Sequence, residues 1–195
     1  HLNIPGYHNV LNASAALAVI HQLDLSMDRA IEALERFTGT NRRFEILGSI
    51  HGITIIDDYG HHPTEIAATL EAARSRFPKE RIWAIWQPHT YSRSQTLEDG
   101  YIQALHAADK IVVLKIYAAR EADTGYSAER IAHALPRDKA NYVPENATAI
   151  RFLLEHLQPG DVAITFSAGD AVEVSKTVFD RLQAKNMLRM EQTDE

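Results

Sequence analysis

Apolar residues along the chain change their period once, and the change separates two regions. As far as Phe37 the spacing is helical: VLNASAALAVIHQ, from Val10 to Gln22, is rich in Ala and Leu, and Ser26 opens a second run, MDRAIEALERF. In that run Ile31, Leu34 and Phe37 share one face, and Gly39 follows where a helix is expected to stop. The pattern predicts an αα unit. From Phe44 the period becomes strand-like: FEILGSIHGITIIDDY holds two apolar runs split by His51-Gly52, which predicts a β-hairpin whose second strand ends at Asp57 and Asp58.

Strands and helices alternate from there. A helix is expected from Pro63 to about Arg76, a strand over RIWAIWQP, one helix from about Gln95 to Ala108, and a strand over KIVVLKIY. A helix near Ala128 to Leu135, a short strand ANYV and a helix from about Glu145 to Leu157 follow. After the turn Pro159-Gly160 come the strand DVAITF and a helix from about Ala171 to Lys185, with the final ten residues expected as a frayed polar tail. Such alternation favours βαβ crossovers and a mostly parallel sheet covered on both faces, an α/β fold. In these sheets ligands sit beyond the carboxyl ends of the strands. The polar stretches Asp57–His62, Gln87–Arg93 and Tyr117–Arg120 each follow a strand, so three strand ends are expected to meet at one mouth.

Composition narrows the classes. The chain has 195 residues, 45% hydrophobic and 24% charged, which is enough to bury a core without disulfides or a structural metal. It contains no cysteine, which excludes a disulfide-built scaffold and fits a reducing, cytoplasmic address. No apolar run approaches the length of a membrane helix, and HLNIPGYHN has none of the features of an export signal. The formal net charge of -6 supplies no basic stripe for nucleic acid, so any anion must be held locally. A start at His1 rather than Met leads to the expectation of further sequence upstream.

Three clusters carry candidate chemistry. DDYGHHPTE puts two carboxylates, a phenol and two imidazoles at a strand-to-helix junction, while Pro63 just after His62 also marks a helix start that needs a capping acceptor. For His62 taken alone, capping or packing is the preferred reading. In WQPHTYSRS, His89 and Arg93 flank three hydroxyls; an Arg there offers a planar fork for carboxylate or phosphate, or is an ordinary surface cation. In PGYHNVLNASAA, Asn9 reads equally as an N-cap, whereas Asn12, inside the helix, presents a donor beside an acceptor that suits an adenine edge. Arg42 and Arg43 sit in the turn-like GTNRRF, able to reach a phosphate or simply solvated. The phosphate loop GxxxxGK[ST], the dinucleotide fingerprint GxGxxG, the GxSxG elbow and HExxH are all absent.

The order GYHNVLNASAA, TNRRFE, DDYGHHPTEI, QPHTYSR, IYAARE and a small-residue turn before the last helix resembles the ATP-dependent Mur ligases of peptidoglycan synthesis. Within them it is most similar to the branch that joins L-alanine to UDP-N-acetylmuramate. The resemblance spans nearly the whole chain. It implies that residues 1–37 are the last helices of a central ATP-binding domain and 38–195 a Rossmann-like C-terminal domain for the amino acid. It further implies that His8, Asn9 and Asn12 approach adenine, Arg43 reaches phosphate and Asp58 holds the ribose. Tyr59, His61, His89 and Arg93, with Arg120 as a further cation, would form the L-alanine pocket. The implied reaction uses ATP to make an acyl phosphate of the muramyl carboxylate, which the alanine amine then attacks. Mg2+ would accompany ATP, with its ligands, like the phosphate loop and the sugar-nucleotide site, expected mainly outside this chain. The residue that deprotonates the amine is not identified.

Two positions depart from the pattern. Many members carry Arg directly after the His of QPH, where this chain has Thr90, and FSAGD replaces a Gly-Ala-Gly turn. Carboxylate recognition would then lean on Arg93 or Arg120. Alternatives stay open: the murein-tripeptide recycling ligase of the same family, a hydrolase with a divalent metal on Asp57, Asp58, His61 and His62, and a non-catalytic binding module. Against the metal stands the alternation of a strand, which points adjacent residues to opposite faces.

Overall fold

The computed structural model describes the backbone of residues 1–191 and side chains as far as Met187. Two helices, α1 (Tyr7–Gln22) and α2 (Met27–Arg36), form the expected αα unit, and the Ser26 hydroxyl caps α2 by accepting the Arg29 N–H. Neither helix contains a buried residue. Tyr7, Val10, Leu11, Val19 and Ile31 all lie exposed on them.

The rest is one sheet with helices on both faces. The hairpin β1 (Glu45–Ile50) and β2 (Ile53–Asp58) is antiparallel, and both turn residues, His51 (φ 52) and Gly52 (φ 75), have the positive φ that a tight hairpin turn of matching twist requires. Helix α3 (Pro63–Arg76), strand β3 (Arg81–Trp86), helices α4 (Tyr91–Thr96) and α5 (Glu98–Leu105), strand β4 (Lys110–Val113), helix α6 (Glu129–Ala134) and strand β5 (Ala140–Tyr142) come next. Helix α7 (Asn146–His156), strand β6 (Asp161–Phe166) and helix α8 (Val172–Glu191) follow. Strand order is β1-β2-β6-β3-β4-β5, parallel throughout except for β1.

The period of two along each strand sorts the apolar side chains between two cores. Ile56, Ile82, Ala84, Trp86, Ile111, Val113, Val162 and Ile164 face α3, α5 and α6, where they meet Ile66, Leu70, Tyr101, Leu105 and Ile131. Ile53, Ile55, Trp83, Ile85, Val112 and Ala163 face α7 and α8, against Ile150, Leu153, Val174 and Val178. Burial on both faces is why these strands read as continuous apolar runs. Because α3 and α5 cover one face and α8 the other, the chain parts in opposite directions beyond the ends of β2, β6 and β3, which is where a ligand crevice forms.

Three boundaries differ from expectation. The single helix from about Gln95 is two helices, starting at Tyr91 and broken at Leu97 (φ -110, ψ 21). The first piece is pinned by the Ser94 hydroxyl to the Thr90 carbonyl, while the second turns to bury Tyr101 and Leu105. The strand over KIVVLKIY stops at Val113: its continuation runs beside Pro88 and Pro144, which have no N–H, and pairs with their carbonyls through Tyr117 and Lys115. Helix α8 continues past Lys185 to Glu191, so the start of the expected tail is helical; Ala184, Lys185, Met187 and Leu188 are good helix formers with no Gly or Pro among them. The last four residues of that tail lie outside the described residues. Among the described residues no helix is long and apolar enough to cross a membrane.

Candidate functional site

A cavity of about 660 Å³ lies between the αα unit, the segment after it and α3. His8, Asn9, Asn12, Arg43 and Asp58 all line it, together with apolar Ala13, Leu34 and Phe37. Gly6, not Asn9, is the N-cap of α1; the Asn9 amide turns back to donate to the Pro5 carbonyl at 2.7 Å. Asn12, one turn further along, is exposed. Arg43 reaches across the cavity rim to Glu65, Nη1 to Oε1 3.4 Å. Asp58 is buried and accepts from Phe44 N (2.8 Å), Gly60 N (2.7 Å) and the Thr69 hydroxyl (3.4 Å), so it stitches the incoming segment to β2 while one edge faces the cavity. Burial pushes its carboxyl above the ordinary value, against those donors.

A second group follows the ends of β2, β3 and β4. Tyr59, His61, His89 and Tyr117 form a row of rings with successive centroids 5.6, 5.7 and 5.7 Å apart. The Arg42 and Arg43 guanidinium carbons lie 5.0 and 5.5 Å from the Tyr59 ring centroid at the head of the row. His61 is held from below, its carbonyl accepting the Tyr101 hydroxyl at 2.7 Å. Loss of solvent contact pushes that phenol up to about 12.

At the other end stands Arg93, on α4. Its Nη1 and the His89 Nδ1 are buried and have no hydrogen-bond partner among the described residues. A buried guanidinium N–H without an acceptor is costly unless an acceptor arrives, and the charge calls for an anion. Burial, then the nearby Arg93 guanidinium and the His61 ring, hold the His89 imidazole below its ordinary value, with Glu121 opposing. Those same causes hold the imidazole in its neutral form. Arg120, by contrast, is exposed and enters none of these contacts among the described residues.

Thr90, at the place of the family's second Arg, has φ 67, a positive value that a β-branched side chain rarely adopts. The turn survives because its N–H donates to Tyr117 O at 2.9 Å and its carbonyl accepts the Ser94 hydroxyl at 2.6 Å. Glu121, from the loop after β4, accepts from both the Ser92 N–H (2.9 Å) and the Ser92 hydroxyl, replacing the side-chain cap that Thr90 does not give.

Several supports were not read from sequence. Arg42, a weak candidate there, donates to Asp57 (2.9 Å) and to the Ser167 carbonyl (2.5 Å). Gln87 is a buried hub: Oε1 accepts the Ser167 hydroxyl (2.8 Å) and Ala171 N (3.1 Å), and Nε2 donates to Asp170 (2.6 Å). A polar residue closing an apolar strand is the available signal for such a hub, since a buried amide must find partners. This hub explains FSAGD: a side chain at Gly169 would sit 2.6 Å from both Gln87 Oε1 and the Tyr117 ring.

His62 caps α3 as expected, Nδ1 accepting Thr64 N, with Glu65 completing a capping box and Pro63 in the first turn. Asp57 and Asp58 point to opposite faces, the first toward Ser175 on α8 and the second toward Thr69 on α3. Among the described residues no three His, Asp or Glu side chains converge on a common point.

Residues 42–169 match the family model for the Mur ligase, glutamate ligase domain. The UDP-N-acetylmuramate–L-alanine ligase of Caldanaerobacter subterraneus subsp. tengcongensis is 44% identical over 182 residues, which cover 92% of this chain and 39% of that protein. The crystal structure of UDP-N-acetylmuramate-alanine ligase from Thermotoga maritima superposes with a TM-score of 0.77 at 31% identity, covering 94% of this chain and 40% of that one. A murein peptide ligase from Psychrobacter arcticus gives 0.68 at 26% identity, covering 91% and 37%. The chain thus spans about two-fifths of the length of these relatives. The domain model takes in well over half of the chain, which belongs to the Mur ligase family.

Proposed function

We propose that this chain is the adenine-facing and amino-acid-binding part of an ATP-dependent ligase that joins L-alanine to UDP-N-acetylmuramate in peptidoglycan synthesis. Residues 1–37 are assigned to the end of the central ATP-binding domain and 38–195 to the C-terminal domain. The observation that carries the reading is that Arg93 Nη1 and His89 Nδ1 are both buried without a hydrogen-bond partner among the described residues, with the Arg93 charge close enough to act on the His89 ring. A zwitterionic amino acid supplies what they lack: a carboxylate for the Arg93 fork and an ammonium whose proton a neutral imidazole accepts. Similarity to L-alanine ligases supports the choice of amino acid.

The cavity lined by His8, Asn9, Asn12, Arg43 and Asp58 is assigned to ATP. Its apolar wall suits a purine, Asn12 a hydrogen-bonding edge, and Arg43 an anionic phosphate. The part in the chemistry assigned to this chain's own residues is to place adenine and amine. Placement of that kind lowers the barrier by bringing the amine to the acyl phosphate in a fixed geometry. A cytoplasmic location is proposed with the function.

The test is turnover. The full-length ligase should form phosphate from ATP only when both UDP-N-acetylmuramate and L-alanine are present, and this chain alone should form none. Turnover by the isolated chain, or preference of the full-length enzyme for a murein tripeptide over L-alanine, would overturn the assignment.

A further inference from the structure

We propose that Glu65 couples the nucleotide cavity to the amino-acid pocket as a positioning residue; the inference rests on the functional reading above. One carboxylate touches members of both sites. Its Oε1 accepts from Arg43 Nη1 at 3.4 Å, on the cavity rim. Its Oε2 accepts the backbone N–H groups of His61 (3.0 Å) and His62 (3.1 Å) and lies 3.8 Å from His61 Nδ1. Tyr59 closes the figure from the other side, beneath the Arg43 guanidinium and edge-on to His61. Arg43, Tyr59, His61 and Glu65 thus form a ring of contacts shared by the two sites.

The links differ in strength, and the Arg43–Glu65 pair is a weak one. The Arg43–Glu65 pair is long and its partners are 50% and 36% exposed, so it costs little to break. The Glu65 contact to the His62 N–H belongs to the α3 capping box, and with the His61 N–H it holds the carboxylate in place. A phosphate entering the cavity offers Arg43 shorter, doubly charged hydrogen bonds and draws it away. Glu65 then keeps its backbone donors and its charge acts on the His61 ring alone. That ring, already bonded through Nδ1 to the Tyr59 carbonyl at 3.1 Å, gains a second fixed neighbour and is held toward His89 for the incoming amino acid. Nucleotide therefore tightens the amino-acid pocket, and by linkage the amino acid tightens the nucleotide site to the same degree.

The experiment is calorimetric titration of L-alanine into the full-length ligase with and without a saturating non-hydrolysable ATP analogue. The wild type should bind L-alanine about fivefold or more tightly with the analogue present. Glu65→Gln retains an amide oxygen for the capping N–H groups but loses the charge, and should bring that ratio close to one while nucleotide-free L-alanine affinity stays within about twofold. Arg43→Gln, at an exposed position and again at saturating analogue, should remove the ratio from the other side of the pair. A ratio left intact in both variants, or none in a wild type that binds L-alanine, overturns the coupling alone. No L-alanine binding in any state overturns the functional reading and the coupling with it.

Discussion

Arg42 donates through Nε to the Asp57 carboxylate at 2.9 Å, and Asp57 is almost wholly buried beneath it. The same guanidinium reaches the Ser167 carbonyl, so one side chain ties the segment entering β1 to the ends of β2 and β6.

Removing it strands a buried carboxylate. Arg42→Ala should cost about 3 kcal/mol at neutral pH, read from urea unfolding. Burial already raises the Asp57 carboxyl, with Arg42 opposing it. Without Arg42 the folded-state value rises further, so the folded form prefers the protonated acid. Stability of the variant then falls as pH rises through that value, and the deficit against wild type should shrink near pH 4. A deficit independent of pH would show that the loss is one of packing rather than of charge.

His89 should titrate below the ordinary imidazole value, as followed by its ring proton shifts in NMR. Its depressed value makes a stabilising contribution that is present above the unfolded value of about 6.5 and lost as pH falls through the folded one. Arg93→Ala removes one cause and leaves the larger one, burial, so the value should rise yet stay below that of an exposed His. No movement would mean that Arg93 does not face the ring.

Arg93→Ala in the full-length ligase should weaken L-alanine use by about 2 to 5 kcal/mol in kcat/KM if its fork meets the substrate carboxylate. The KM for ATP should change little, because Arg93 is not among the residues lining the nucleotide cavity. An unchanged L-alanine rate and KM would move the carboxylate to another cation.

Gly169→Ala places a methyl 2.6 Å from the Tyr117 ring and from Gln87. The β6–α8 turn must shift, at about 1 to 3 kcal/mol, and Tyr117 with it. Thermal unfolding should show the loss, and the Tyr117 ring should move away from His89 in a crystal structure of the variant.

What was legible in the sequence was what is locally decided. Pro63 with His62 before it marked a helix start, and His51-Gly52 marked a hairpin, because caps and tight turns are set by neighbours in the chain. His89 and Arg93 stood out in the sequence after an apolar strand, and the fold sets them close enough for the Arg93 charge to act on the His89 ring. The partners of Arg42 and Gln87 were not legible, since Ser167 lies 125 positions from the first and 80 from the second. The break at Leu97 escaped for the same reason: its cause is the docking of Tyr101 and the hold of Glu121 on Ser92. Asn9 shows the limit of cap preferences, for Gly6 took the cap and left the amide to its own chain.

The placing of β6 between β2 and β3 has a consequence for biosynthesis. The two earlier strands have no contact as neighbours until the last strand arrives, so the centre of the sheet stays open while most of the chain emerges from the ribosome. Such long-range pairing folds slowly and leaves strand edges bare in the meantime. It also means that Ser167, the partner Arg42 and Gln87 share, is made late. A prematurely terminated chain lacks the strand that joins β2 to β3, and with it the Ser167 and Asp170 contacts that hold the Arg42 and Gln87 side chains in place.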